Sequence, residues 1–276
     1  MKGNDLRDRL RELGRKPNKR YGQHFLVDQS VLNAILEASE ISVGDRVFEI
    51  GPGMGVLTEA LIGRGAEVVA IEKDRALAHD LAERLGERVK IIEGDALQGS
   101  WVMGQGSWKL VANIPYSMTS QIIKKALWST DVPSIVVLLV QKEVAEKIVE
   151  GAKQKGNVQP SLLSLMVALA SSSSKIVRKV PRKCFYPPPD VESAVIKIVP
   201  MAHDARLAKW GVDAANILAF ASRAFASPRK KMTTTLSNLP RERITASLVA
   251  AGASPDARPE ELTVDQWAKF VRGVGA

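Results

Sequence analysis

The 276-residue chain has one cysteine, Cys184, which excludes an internal disulfide and any multi-cysteine zinc site. Histidine is almost as scarce, and His24, His79 and His203 lie too far apart for the short spacings of metal ligands. No bound metal is expected. The longest aliphatic run, Ile135 to Val140, falls far short of the roughly 20 residues a membrane-crossing helix needs. The opening MKGNDLRDRLRELGRK is charged throughout and lacks the apolar core of a secretory signal. A cytoplasmic protein with no membrane role is the simplest expectation. The signature of disorder is missing too: 45% of residues are hydrophobic and 25% charged, enough core for one large domain and a small one.

Acidic charge is also in deficit, and unevenly. The net charge is +9. Residues 1–23 carry eight Lys/Arg against three Asp/Glu, and residues 201–276 carry eleven against seven, while 24–200 hold twenty of each. The excess sits at the two ends, which suits a polyanionic partner such as nucleic acid gripped there, although a solvated basic surface has the same composition.

Between Arg46 and Pro200 short β-branched runs alternate with amphipathic stretches. RVFEI (46–50), EVVAI (67–71), VKIIE (89–93), KLVAN (109–113) and SIVVLLV (134–140) read as strands; VLTEALIGR and RALAHDLAERL read as helices. This alternation predicts an α/β fold, a mainly parallel sheet with helices on both faces. SKIVRKV (174–180) and SAVIKIV (193–199) are candidates to close the sheet as an antiparallel pair. GAKQKGN (151–157) reads as an exposed loop, and Pro187–Pro189 as a rigid extended one. After Pro200 only helical patterns remain: VDAANILAFASRAF, RERITASLVAAG and TVDQWAKFVRGV. The expected division is a catalytic domain over 1–200, with 1–23 as a basic arm, and a helical domain over 201–276.

The first strand runs into Gly51-Pro52-Gly53-Met54-Gly55 and then a helix. Such a loop turns tightly, lets a ligand approach the backbone and leaves amides free at a helix start. Alone it is a weak indication, because many nucleotide-binding folds use one. Glu49, two residues before Gly51, makes the pattern E-x-G-x-G-x-G; Glu72, 21 residues after Gly51, ends the next strand. A carboxylate there can accept both ribose hydroxyls of a nucleoside. Asp95, in GDAL after the third strand, can accept from an adenine amine. No phosphate-binding lysine motif is present, so S-adenosylmethionine suits these residues better than ATP, and the G-x-G-x-x-G spacing of an NAD site is absent.

Asn113-Ile114-Pro115-Tyr116 follows the fourth strand, at the strand end where open α/β sheets bind ligands. The N6 amine of adenine is a poor nucleophile because its lone pair is delocalised into the ring. Two acceptors on its hydrogens, the Asn113 side-chain oxygen and a carbonyl at Ile114 or Pro115, would hold it and favour a more tetrahedral nitrogen. Pro115 stiffens the turn and Tyr116 offers a ring on which the base stacks. The residues by themselves thus point to N6-methylation of adenine in a polyanion.

With these motifs in place, the chain resembles the 16S ribosomal RNA adenine-N6,N6-dimethyltransferase family from about Lys19 to Val271. The resemblance is carried by KRYGQHFLVDQ (19–29), FEIGPGMGVLT (48–58), IEKDRALA (71–78), GDAL (94–97), NIPYSMT (113–119), LVQKEVAEKIV (139–149), FYPPPDVESAVIKI (185–198), RKK (229–231) and AAGASPDARPEEL (250–262). It implies a class I, Rossmann-like S-adenosylmethionine-dependent methyltransferase domain followed by a small helical domain. It implies cofactor contacts at His24, Leu26, Gly51, Gly53, Glu72, Asp95 and Asn113, with Gln23 beside them. It implies a target-base site of Asn113, Pro115 and Tyr116, with Phe185 stacking on the other face of the adenine, and RNA contact at Arg229, Lys230 and Lys231. The implied substrate is a pair of adjacent adenosines in a hairpin loop near the 3′ end of 16S rRNA, in the small (30S) ribosomal subunit, dimethylated by a monomeric enzyme. The chain departs from the family in two places: KGNVQPSLLSL lacks the usual Tyr-Gly pair near Gln159, and Ser227-Pro228 precedes the basic triplet. The rival readings are a large-subunit rRNA methylase of the macrolide-resistance type, a DNA adenine methylase, and a ribosome-assembly or transcription factor that keeps the fold without turnover. AAGASPDARPEEL favours the small-subunit enzyme, no target-recognition insertion for DNA is found, and the intact Glu72, Asp95 and NIPY set argues against lost chemistry.

Overall fold

The computed structural model describes residues 3–18, 22–101, 103, 104, 106–151 and 160–275. Lys19 to Tyr21, Gln159 and all of the expected 151–157 loop except Gly151 lie outside the described residues. The chain divides into two compact units: Met1–Ala145 with Lys175–Val199, and Glu146–Ser174 with Pro200–Ala276.

In the first unit the elements run α1 (Gly3–Glu12), β1 (Phe25–Leu26), α2 (Gln29–Ser39), β2 (Arg46–Ile50), α3 (Val56–Gly63), β3 (Glu67–Glu72), α4 (Arg75–Leu85), β4 (Val89–Glu93), β5 (Trp108–Asn113), α5 (Thr119–Trp128) and β6 (Ile135–Gln141). After α6 (Lys142–Val149) and α7 (Leu162–Ala170) come β7 (Ser171–Val180), β8 (Phe185–Tyr186) and β9 (Ser193–Pro200). The seven-stranded sheet has the order β4-β3-β2-β5-β6-β9-β7. β2, β3, β4, β5 and β6 pair in parallel, and β9 joins β6 antiparallel with Leu138 opposite Ile196. A two-stranded ribbon, β1 with β8, sets Leu26 opposite Phe185.

The inner strands β6 and β9 are apolar on both faces because both are covered, whereas the edge strands β4 and β7 are partly exposed. Val47, Val68, Val111, Val137 and Leu139 pack with α2 (Val31, Leu32, Ile35), α3 (Leu57, Leu61) and α4 (Leu81, Leu85). Residues of opposite parity, Phe48, Leu110, Ala112, Val136 and Leu138, are equally buried. Strand order reverses between β2 and β5, and ligands of open α/β sheets bind outside the carboxyl ends of the strands at such a reversal. Gly51, Glu72, Asp95 and Asn113 all follow or end strands at that edge.

The second unit holds α7, α8 (His203–Trp210), α9 (Ala214–Ala224), α10 (Met232–Thr235), α11 (Arg241–Ala250) and α12 (Val264–Gly273). The boundary expected near Met201 therefore misses one segment, 146–174. The reason lies in α7, LLSLMVALA, which is too apolar to leave a face in water. It buries Leu165, Met166, Val167 and Leu169, packs on α9 and α12, and gives the Leu169 carbonyl to Trp210 Nε1 at 2.9 Å.

Gly55 opens α3 with a φ of 82°, and a Cβ there would overlap Leu81 Cδ1 and stand 3.2 Å from Arg84 Nη2. Two side chains of α4 thus close over the start of α3. Gly55→Ala is expected to lower stability by about 1–3 kcal/mol, the range for positive-φ strain and overpacking. A fall in the urea midpoint at unchanged m-value would show it. Gly63→Ala, where no atom lies within 4 Å, should leave the midpoint unchanged or raise it.

Candidate active site

The carboxyl ends of β2, β3 and β5 line a cleft of about 300 Å³ together with residues 22–26 and 94–97. His24, Leu26, Gly51, Gly53, Glu72, Asp95, Asn113, Pro115 and Tyr116 all face it, as does Gln23. Residues far apart in the chain thus converge as the sequence predicts.

Glu72, 7% exposed, is clamped by backbone on both sides: Gly53 N–H donates to Oε2 at 3.0 Å and Asp74 N–H to Oε1 at 2.9 Å. Burial pushes its carboxyl above the usual range, against the pull of these amides. Asp74 in turn caps α4 and takes Arg15 Nη2 at 2.6 Å. Arg9 of α1 pairs with Asp80, and Leu6 and Leu10 pack with Phe25, Met54 and Leu77. The N-terminal segment is therefore fastened to the elements that shape the cofactor loop. Nothing in its composition singles out Arg15 or Asp74 for that role. Asp95 is held by Leu97 N–H at 2.9 Å and Lys73 Nζ at 2.8 Å, and the Lys73 charge keeps its carboxyl low.

Glu49 is 1% exposed, lines the cleft, and its Oε2 has no hydrogen-bond partner. Burial first, then the neighbouring Glu72 charge, pushes its carboxyl up to about 8, and the Thr58 hydroxyl opposes this. Gly51, at a φ of 65°, has no heavy atom within 4 Å of where a Cβ would stand, so the loop leaves room for a ligand against its backbone. A buried carboxyl with one unpartnered oxygen, an open glycine loop and a fixed carboxylate fit S-adenosylmethionine. No group of three metal-ligating side chains exists among the described residues.

At the end of β5, Asn113 Nδ2 donates to the His24 carbonyl at 3.0 Å. That bond orients the amide and leaves Oδ1 as an acceptor. His24 Nδ1–H donates to the Pro187 carbonyl at 2.8 Å, and its ring lies 16° from parallel with Tyr116, centroids 6.2 Å apart. Pro115 O accepts Met118 N–H at 3.0 Å, closing the turn Tyr116–Met118, which leaves the Ile114 carbonyl outside that turn. The Tyr116 hydroxyl meets Ser193 Oγ at 2.6 Å, and burial raises the phenol above its usual range. Ser193 was passed over in the sequence, although it ends the F-x-P-P-P-x-V-x-S run.

Phe185 departs from expectation. Only 3% exposed, it does not line the cleft; it packs in the core with Val180, Cys184 and Val195. The ring stacked on Tyr116 in this structure is that of His24. In the second unit Arg229, Lys230 and Lys231 are exposed in the turn between α9 and α10, and Lys231 Nζ meets Asp256 at 2.9 Å.

The folded chain holds the Glu49 proton up to about pH 8, whereas the group's ordinary value is 4.5. Folding therefore takes up a proton between those values, and the contribution of Glu49 to stability falls as pH rises through that window. Glu49→Gln is expected to flatten this dependence and to melt above the wild type at pH 8, with a smaller difference at pH 5. Parallel melting curves for both proteins across pH 5–8 would count against a buried, protonated Glu49.

Similarity to known proteins runs over nearly the whole chain. A family model described as Ribosomal RNA adenine dimethylase matches residues 14–273. A protein named Ribosomal RNA small subunit methyltransferase A from Dehalococcoides mccartyi is 37% identical over 261 residues, 91% of this chain and 86% of its own. One of the same name from Parasynechococcus marenigrum is 37% identical over 272 residues, 95% of this chain and 88% of its own. Among solved structures, a 23S rRNA methyltransferase, ErmE, superposes with a TM-score of 0.68 at 26% identity, over 91% of this chain and 100% of its own. A dimethyladenosine transferase from Plasmodium falciparum shares the fold with a TM-score of 0.72 at 24% identity, over 90% of this chain and 96% of its own. A glycine loop under a clamped carboxylate, an oriented asparagine and near full-length similarity lead to one conclusion: the chain belongs to the ribosomal RNA adenine dimethylase family, as an S-adenosylmethionine-dependent rRNA methyltransferase.

Proposed function

We propose that the protein dimethylates the N6 amines of two adjacent adenosines in a hairpin loop near the 3′ end of 16S rRNA, in the small (30S) ribosomal subunit. The observation that carries this reading is the Asn113 amide, tied by Nδ2 to the His24 carbonyl so that Oδ1 is presented as an acceptor beside Pro115 and Tyr116. Glu72 would hold the ribose hydroxyls, Asp95 the adenine amine, and Glu49 would face the cationic methionine end of the cofactor. When bound, S-adenosylmethionine supplies a methyl group on a positively charged sulfur. Asn113 Oδ1 and the Ile114 carbonyl accept the two N6 hydrogens, which localises the nitrogen lone pair. The Tyr116 ring holds the base plane, and its hydroxyl bond to Ser193 fixes the ring. After attack the amine carries an extra proton that passes to water, so no strong base is required.

The relatives named for the small subunit favour 16S over 23S rRNA as substrate. The reading carries with it a cytoplasmic, monomeric enzyme with Arg229, Lys230 and Lys231 on the RNA. Incubation with labelled S-adenosylmethionine and unmethylated small subunits, large subunits or DNA should place the label in paired adenosines near the 3′ end of small-subunit rRNA. Label confined to large subunits or DNA overturns the reading. Asn113→Ala should slow single-turnover transfer by about 100-fold or more, the scale for losing one preorganised hydrogen-bonding group, while small-subunit binding holds. A near wild-type rate would remove Asn113 from the chemistry.

A further inference from the structure

The even charge balance of residues 24–200 hides a local separation. From Ser171 to Pro189 the chain carries Lys175, Arg178, Lys179, Arg182 and Lys183 and not one carboxylate. All five side chains belong to exposed residues. Three ride on β7, the edge strand of the sheet, and two lie in the turn Arg182–Cys184 that feeds β8. Glu40 and Glu192 lie near Lys175 and Lys179, but each of these carboxylates is bonded to another lysine, Lys197 and Lys142. Two of the five cations are held by neutral acceptors that leave their charge intact. Arg178 donates to the Ser30 carbonyl at 3.0 Å and the Ser30 hydroxyl at 2.8 Å, and Arg182 Nε to the Pro189 carbonyl at 2.6 Å.

This basic run leads to the cleft. Cys184 O accepts Val27 N–H at 2.9 Å, β8 pairs with β1, and Pro187, four residues after Lys183, holds the His24 ring. The N-terminal arm is less available than its composition suggests. Arg9, Arg11 and Arg15 each pair with a carboxylate. We propose that β7 and the Arg182–Cys184 turn form a phosphate-binding track on the catalytic unit, which guides the RNA strand bearing the target base to Asn113 and Tyr116. The track rests on the reading of the cleft as an RNA methylation site. Cations there raise the local concentration of phosphate, and each contact contributes about 0.7–0.9 to the slope of log K against log salt.

Cations on an edge strand also discourage pairing with other chains, so the test must separate the two roles. Small-subunit binding is measured across salt concentrations for the wild type, for Lys175→Gln/Lys179→Gln/Lys183→Gln, and for Arg64→Gln/Arg75→Gln/Lys90→Gln. The last removes the same charge from exposed positions elsewhere on the unit. The β7 variant should lower the slope by about 2 and the control by much less. Affinity for S-adenosylhomocysteine should be equal in all three. Should the triple variant not fold, Lys183→Glu alone, outside the strand, should lower the slope by about 1. Equal slopes in variant and control overturn the track, whether or not the variant self-associates. Loss of binding to phosphatidylserine vesicles with an unchanged RNA slope also overturns it, in favour of a membrane surface. A lowered slope in a protein that labels no adenosine of the small subunit would sink the proposed function and leave the track standing.

Discussion

A buried carboxylate held by two backbone amides organises the cofactor side of this protein. Glu72 bridges the glycine loop after β2, through Gly53 N–H, and the turn into α4, through Asp74 N–H. Taking a carboxylate out of water is costly, and the two amides offset part of that cost while leaving lone pairs for a ligand. The same bonds fix the loop to the strand beside it. Arg15 on Asp74, and the packing of α1 near Met54 and Phe25, extend the restraint to the start of the chain. A segment that reads as a basic arm is thereby fastened to the glycine loop and the start of α4.

The substrate side rests on a second chain of contacts, from Asn113 to the His24 backbone and from the His24 ring to the Pro187 carbonyl. It joins three stretches that are remote in sequence, the 22–26 segment, the end of β5 and the proline run. An amide held by its own nitrogen keeps its oxygen as an acceptor, and under the proposed reading that oxygen meets the base without reorganisation. Tyr116 is fixed in the same manner, through Ser193 at the start of β9. The loop that supplies acceptors and the residues that hold it still thus come from different strands.

Charge divides along a different line. The counts over long segments place the excess at the chain ends, yet opposite charges within the first unit do not mix evenly. Several cations of the N-terminal segment pair with Asp8, Asp74 and Asp80, whereas five cations gather between Ser171 and Pro189, a stretch of sequence without a carboxylate. Average composition over a domain cannot express such a separation, because it arises from which strand lies at the sheet edge.

Much was legible from the residues. The strands at 46–50, 89–93 and 109–113 carry short β-branched runs whose partners are set by burial on both faces, so local pattern and tertiary need agree. Glu72, Asp95 and Asn113 were recognisable because each sits at a strand end, and parallel strands in one sheet bring such ends to one edge. His24 and Leu26 came only from resemblance, since β1 is two residues long and makes no pattern. Phe185 and α7 show the limit from the other side. An aromatic in a proline-rich run says nothing of which way its ring points, and here it packs into the core with Val180 and Val195. An apolar helix does not name the surface that covers it, and α9 and α12 cover α7. The sequence by itself determined the alternating elements, the chemistry at their ends and the kind of ligand they suit, because these follow from periodicity and residue type. Only the tertiary structure decided that Asn113 is tied to the His24 backbone, that Arg15 bonds Asp74 at the start of α4 and that β7 is an edge, because each depends on groups brought together from distant parts of the chain.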